Sequence, residues 1–259
     1  MLSKADGKLI HALKSRVGRE KHGLFLAEGV RVVEDLVAAG VDLEFAVVST
    51  TLGDSTRGAA LRAALARATA LREVDEPALG RVTDTDTPQG VLAVAHVPTR
   101  GLAGIGLAAD ASLLVLDAVQ DPGNLGTLVR TADAFGVTAV IALPGTTDFW
   151  APKVVRSAAG AAFRRPLVNA LDEEVWGWLA QHDVAVYGAD MEGEPVNAVE
   201  LRGRVALVVG NEGAGLREHT RAHVARLVSI PMRGRTESLN VGVAAGILLY
   251  EFSRHQHRW

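Results

Sequence analysis

The sequence predicts an α/β protein whose C-terminal half is a parallel sheet with helices on both faces, preceded by a smaller α/β domain. Two observations predict it. From Ser112 onward, short apolar runs alternate with segments of helical period, the arrangement of repeated β-α units. Runs such as Leu113-Leu114-Val115-Leu116 carry no polar face, as strands buried on both sides of a parallel sheet must. The composition permits this, because 48% of the 259 residues are hydrophobic, enough for the cores of two small domains.

The elements follow in order. The spacing predicts a helix over 9–14 and a strand over 24–26. A helix over 30–39 is closed by Gly40, and a strand covers 45–48. An alanine-rich helix spans 58–68, a short element begins at Val74, and the β-branched run 91–97 reads as a buried strand. Residues 98–110, rich in glycine and alanine, read as a linker, so the expected domains are 1–97 and 111–259. Beyond it come a strand over 113–116, a helix over 121–135, a strand over 138–143 and helices over 152–159 and 173–181. Strands over 184–187, 205–209 and 226–230 precede a final helix over 238–254.

Composition excludes several functions. With no cysteine, disulfides, thiolate catalysis and cysteine-based zinc sites fall away, and a reducing cytoplasm is expected. The polar opening residues up to Asp6 do not read as a signal peptide. The most apolar stretch, 241–252, is shorter than the ~20 residues a bilayer requires. The formal net charge is −3, so any nucleic-acid affinity must come from a local patch. Lys4, Lys8, Lys14, Arg16, Arg19 and Lys21 form one candidate, and Arg226, Arg233 and Arg235 another. A solvated face explains either cluster equally well.

Ligands of open α/β sheets bind beyond the carboxyl ends of strands, and three such loops carry unusual residues. The first, from Asp117 to Gly126, contains Asp121-Pro122-Gly123-Asn124 and runs into a helix holding Arg130. Asp121 suits an N-cap and Pro122 the first helical position, which leaves Asn124 and Arg130 without a structural role. Those two stand a little under two turns apart, near one end of the helix on different faces. The second loop, Gly210-Asn211-Glu212-Gly213-Ala214-Gly215, puts Glu212 where a dinucleotide fingerprint needs its second glycine. A carboxylate there repels phosphate and suits an amine, a hydroxyl or an arginine. The third is Ile230-Pro231-Met232, followed by Ser238-Leu239-Asn240. Ser238 is the natural N-cap for the last helix, and Asn240, a poor helix former, then needs compensation from elsewhere.

Taken together, these strings resemble the three sequence motifs of the SpoU (TrmH-type) branch of the SPOUT methyltransferases, in the right order over residues 113–250. Phe25-Leu26-Ala27-Glu28-Gly29 and Thr87-Pro88-Gln89-Gly90-Val91 look like the substrate-binding domain of the same family, which has a ribosomal-protein-like α/β fold. The resemblance implies a deep C-terminal trefoil knot. It implies S-adenosylmethionine held by backbone groups at Gly210, Ile230 and Leu239, and methyl transfer to a ribose 2′-hydroxyl of RNA, most naturally 23S ribosomal RNA. It assigns removal of the hydroxyl proton to Arg130, with Asn124, Glu212, Ser238 and Asn240 in support, inside a cytoplasmic homodimer joined through the C-terminal domain. Arginine stays protonated in proteins, so an RNA phosphate that accepts the proton, while Arg130 orients phosphate and hydroxyl, is the physically easier role. Glu212 is suited to orienting Arg130 or a neighbouring amine. Gly242 and Gly246 would let the last helix pack closely against the knot or a partner.

Three rivals remain open at this stage. Transfer RNA is the alternative substrate, although the additional hundred or so residues before the linker favour ribosomal RNA. A non-catalytic RNA-binding assembly factor is opposed by the intact set of polar residues. A nicotinamide-dependent dehydrogenase is opposed by the missing glycine fingerprint. No metal is expected, since the eight histidines show no paired ligand spacing beyond His255 and His257.

Overall fold

The computed structural model describes residues 2–85, 87–236 and 238–256. The spacing of His255 and His257 lies outside the described residues. Contacts divide the chain into two units, one formed by residues up to Thr99 with Asp148–Arg164, the other by Arg100–Thr147 with residues from Arg165 on.

The first unit opens with α1 (Lys4–Leu13), started by a capping box in which Ser3 and Asp6 satisfy each other's backbone N–H groups. The capping box starts this helix five residues earlier than apolar spacing alone predicts. The short polar α2 (Arg16–His22) carries no periodic signal, yet Ser15 caps it and the left-handed Gly23 ends it. Then come β1 (Leu24–Glu28), α3 (Val30–Ala38), β2 (Leu43–Ser49), α4 (Thr56–Ala68), β3 (Leu71–Val74), α5 (Glu76–Gly80) and β4 (Val91–His96). The sheet order is β1-β4-β2-β3, with β4 antiparallel to both neighbours and β3 parallel to β2. This order joins the strings 25–29 and 87–91: Gly29 N–H donates to Val91 O at 3.2 Å, and Val30 N–H to the Gln89 side-chain oxygen at 3.2 Å.

The second unit contains β5 (Ser112–Leu116), α6 (Pro122–Ala134) and β6 (Ala139–Ala142). The chain then leaves it. Residues 148–164, with α7 (Pro152–Ser157), belong to the first unit, where Trp150 and Phe163 lie 4.6 and 6.0 Å from the buried Phe25 ring. Asp148 there pairs with Arg19 at 2.6 Å, and the same guanidinium donates to the Leu13 and Lys14 carbonyls. Arg19 is therefore 5% exposed and drops out of the basic patch read from the sequence. Lys14 and Arg16 are also paired, with Asp84 and Glu20, which leaves Lys4, Lys8 and Lys21 as the patch's exposed cations without an ion pair among the described residues.

The second unit resumes with β7 (Leu167–Asn169), α8 (Asp172–Gln181), β8 (Ala185–Pro195), β9 (Val205–Val209), α9 (Glu218–Arg221), β10 (Arg226–Ser229) and α10 (Val241–Gln256). Its six strands are all parallel, in the order β10-β8-β9-β5-β6-β7. β6 and β9 are buried along their whole length, as the wholly apolar runs require. β8 runs well past the predicted 184–187 because Gly193 lets the backbone of β10 approach; a Cβ there would lie 2.6 Å from Leu227 and Val228 backbone atoms. The stretch read as a linker is not slack, since Ile105 is buried in the core with Val115, Ile141 and Trp176. No described helix is long and apolar enough to cross a membrane. Strand order reverses between β5 and β9, and a crevice at such a switch point is where these sheets bind ligands.

Candidate active site

Leu116 and Val209 are register partners, so the loops after β5 and β9 leave the sheet side by side, and Asp117 N–H donates to Val209 O at 2.8 Å. In the first loop Ala118 takes a left-handed φ of +58°, a conformation that non-glycine residues hold only where their surroundings enforce it. Asp121 caps α6 by accepting from Asn124 N–H at 2.8 Å, with Pro122 opening the helix as the sequence predicts.

The second loop folds back on itself. Asn211 and Gly215 exchange backbone hydrogen bonds of 3.0 and 2.9 Å. A Cβ on Gly210 would lie 2.3 Å from Gly215, so this glycine is demanded by the loop's own backbone rather than by a ligand. Asn211 holds the turn by accepting from Gly213 and Ala214 N–H and donates to the Ala118 carbonyl, each at 3.0 Å. The Glu212 carboxylate reaches across to accept from Gln120 and Asp121 N–H at 3.3 and 3.1 Å and from the Asn124 amide at 3.0 Å.

The third loop corrects one expectation. Ser238 does not cap the last helix. α10 starts at Val241, and Asn240 is its cap, with Oδ1 accepting from Gly242 and Val243 N–H at 2.9 and 3.3 Å. The compensation that Asn240 needed is thus its own helix end. Its Nδ2 meanwhile donates to Asn124 Oδ1 at 2.9 Å, so one amide both caps the helix and links it to the first loop.

These contacts make one chain, Glu212–Asn124–Asn240, with a fixed direction. A carboxylate only accepts, so Glu212 turns the Asn124 NH2 toward itself and the Asn124 oxygen toward Asn240. Asn240 must then donate to Asn124 and face its own oxygen to the helix. Burial works to raise the Glu212 pKa, but the hydrogen bonds from Asn124 and from the backbone of Glu212, Asp121 and Gln120 together outweigh it and hold the carboxyl below the ordinary glutamate range.

A cleft open to solvent lies beside this chain. Gly210, Glu212, Ile230, Ser238 and Leu239, all picked out from the sequence, line it. So do Val209, Val228, Val241, Ala244 and Leu248, which make much of its wall apolar. Asp190 and Glu212 are its acidic lining residues, and no lysine or arginine is among the described lining residues. Asp190 is paired with Arg221, whereas Glu212 is held by neutral donors. The local charge is therefore negative.

Arg130 is not part of this arrangement. It lies on the third turn of α6, exposed, with no side-chain hydrogen bond or ion pair to any described residue, and outside the cleft. Six residues of helix set it roughly 9 Å beyond Asn124 along the axis, so the two are not gathered at one end. Nor does Glu212 orient it; the carboxylate orients Asn124. Gly242 and Gly246 face Thr127 and Thr131 of α6 in the same chain, so their first use is intramolecular packing.

Sequence reasoning passed over three contributors. Asn211 stood inside the second motif, and its signal was an Asx turn. The buried Asp117 and the partly exposed Arg217 form an ion pair whose members lie 100 positions apart, which no local pattern reveals. The wall from Ala189 to Met191 belongs to the unpredicted extension of β8.

Comparison with known proteins places this geometry among relatives. Residues 111–250 match the family model described as the SpoU rRNA Methylase family, and residues 7–93 one described as an MRM3-like substrate binding domain. The chain is 37% identical to the 23S rRNA (guanosine(2553)-2′-O)-methyltransferase of Bacillus subtilis, over 95% of this chain and 93% of that protein. Among solved structures it resembles the SpoU methyltransferase AviRb from Streptomyces viridochromogenes in complex with AdoMet, at 29% identity and a TM-score of 0.91, covering 98% of both chains. An AdoMet-bound rRNA methyltransferase from Sinorhizobium meliloti matches at 32% identity and a TM-score of 0.87, over 98% of this chain and 97% of that one.

Proposed function

The chain belongs to the SpoU rRNA methylase family, and on that premise we propose that it transfers a methyl group from S-adenosylmethionine to a ribose 2′-hydroxyl of 23S ribosomal RNA. The observation that carries the reading is the Glu212–Asn124–Asn240 chain, which joins all three motif loops beside a cleft whose described lining residues include two carboxylates and no lysine or arginine. The cleft fits the cofactor's chemistry. Its apolar wall suits an adenosine, the negative charge suits a sulfonium, and the same charge disfavours the phosphates of a dinucleotide. S-adenosylmethionine, when bound, supplies an electrophilic methyl group.

Gly210, Ile230 and Leu239 would hold it, the first two through backbone groups at the ends of β9 and β10. Glu212 fixes the amide directions of Asn124 and Asn240, and with them the rim on which the target ribose is oriented. Ser238 offers a hydroxyl at the same rim. Arg130 orients the ribose hydroxyl and an RNA phosphate that accepts its proton.

The exposed position of Arg130 supports a homodimer in which each cleft is completed by the partner. α6 and α10 pack against one another, and α10 carries an uncovered apolar stripe of Val243, Ile247 and Tyr250. The C-terminal segment returns from the edge strand β10 to meet the loops after β5 and β9, which supports the trefoil knot implied by the family resemblance. A cytoplasmic location follows from a ribosomal RNA substrate and the lack of cysteine. The match to a 23S rRNA enzyme over 95% of the chain favours ribosomal over transfer RNA.

The test is methylation of ribosomal and transfer RNA from a strain lacking this protein, with nuclease digestion and mass spectrometry of the ribose products. One 2′-O-methylated nucleotide in 23S RNA is expected. Arg130→Ala should lower turnover by about a hundredfold or more while S-adenosylmethionine affinity stays near the parent's. Product in transfer RNA alone, or parental turnover in Arg130→Ala, would overturn the assignment.

A further inference from the structure

We propose that Arg217, acting through the buried carboxylate of Asp117, is a positioning residue that holds the first two active-site loops in register. The inference rests on the methyltransferase reading above. Asp117 ends β5 and is 0% exposed. It accepts from Arg217 N–H at 2.8 Å and is ion-paired with the Arg217 Nε. The far end of the guanidinium donates to Asp172 at 2.7 Å, at the start of α8. Arg217 itself lies two residues beyond the second loop. One side chain thus forks between the base of the first loop and a neighbouring helix, a geometry that suits guanidinium and not ammonium.

What hangs from this fork is the strained part of the site. Ala118, next along the chain, is left-handed, takes the Asn211 hydrogen bond on its carbonyl, and has its methyl 3.1 Å from where a Cβ on Gly145 would stand. Gln120 and Asp121 then present their N–H groups to Glu212. The first loop is therefore tied to the second at Asp117, Ala118, Gln120 and Asp121, and only the tie at Asp117 is an ion pair, its carboxylate fully buried and its guanidinium partly exposed. Neither Asp117 nor Arg217 lines the cleft, so any influence on turnover passes through the position of Glu212 and Asn124.

The test compares Arg217→Gln, Asp117→Asn and the double variant. Arg217→Gln strands the buried Asp117 carboxylate and should lower the unfolding midpoint, whereas Asp117→Asn leaves Arg217 paired with Asp172 and should lower it less. The double variant leaves no fully buried charge, only the part-exposed Asp172 without its guanidinium, so its midpoint should return toward the parent's. Turnover should not return with it: kcat stays down on the order of tenfold or more, with the KM for RNA within about threefold. Recovery of kcat together with the midpoint would show a purely structural pair and overturn the proposal. Arg217→Lys keeps the charge and the fold but loses the fork, and parental kcat in that variant overturns it equally. Loop register is also readable without activity, from the Glu212 carboxyl, whose titration midpoint should rise in the double variant. An unchanged midpoint sinks the inference whether or not the parent methylates RNA, whereas failure of the parent to methylate RNA sinks only the functional reading.

Discussion

Glu212 shows how much one side chain decides at the site. Its two oxygens take three donors from two segments of the first loop, and that choice sets the direction of Asn124 and then of Asn240. The ionised form is the one these donors favour, so the folded chain holds the carboxyl below the value it has when unfolded. A depressed acid contributes stability above its unfolded pKa and loses it as pH falls through the folded one. The loop ties should accordingly survive acidification through the ordinary glutamate range, about 4.3, and part only below it. Carbon-detected NMR titration of the Glu212 side chain checks this, and a midpoint at or above the free value would mean the amides do not hold it. The residue was legible in the sequence as an odd carboxylate in a glycine loop. Its partner was not, because Asn124 lies 88 positions away.

At the scale of the element, α10 carries two jobs on two faces. Ala245, Leu248, Leu249 and Phe252 are almost fully buried on one side. Val243, Ile247 and Tyr250, spaced by four and three, form the other face and are 51%, 38% and 48% exposed. A stripe of this spacing is what a partner helix covers in the proposed dimer. Val243→Asp with Tyr250→Asp should raise the dimer dissociation constant on the order of a hundredfold or more, since carboxylates left unpaired in an apolar contact are costly. Sedimentation equilibrium would read the change as a fall from dimer to monomer mass, and an unaltered dimer would place the interface elsewhere. The helix itself was predicted from its apolar period. Its start was not, because Ser238 and Asn240 are both good caps and only the position of Asn124 selects between them.

For the molecule as a whole, the two units are interleaved along the chain rather than strung in sequence. Residues 148–164 complete the first unit from within the second half, supplying two rings to Phe25 and a carboxylate to Arg19. A fragment of residues 1–99 should therefore be largely unfolded at 25 °C. Breaking a buried pair costs about 3–5 kcal/mol, and emptying a cavity beside Phe25 a further ~3 kcal/mol, against a stability of roughly 5–15 kcal/mol for a whole domain. Circular dichroism and amide dispersion of the fragment measure this directly. A cooperative fold melting within a few degrees of the first unit in the full chain would contradict it.

The sequence alone determined what depends on near neighbours: the wholly apolar strands, most helices, the Asp121–Pro122 helix start, and a set of motif residues whose order marks the family. The short pieces α2, β7 and α9 escaped because three to seven residues are too few to show a period. Only the tertiary structure decided that Arg19 is buried, that Asn240 and not Ser238 caps α10, and that Arg130 stands outside its own cleft. It also decided that Asp117 meets Arg217. The burial of Arg19, the cap at Asn240 and the Asp117–Arg217 pair each depend on a partner brought close by the fold, across 100 to 129 positions of chain, and periodicity carries no information over that distance.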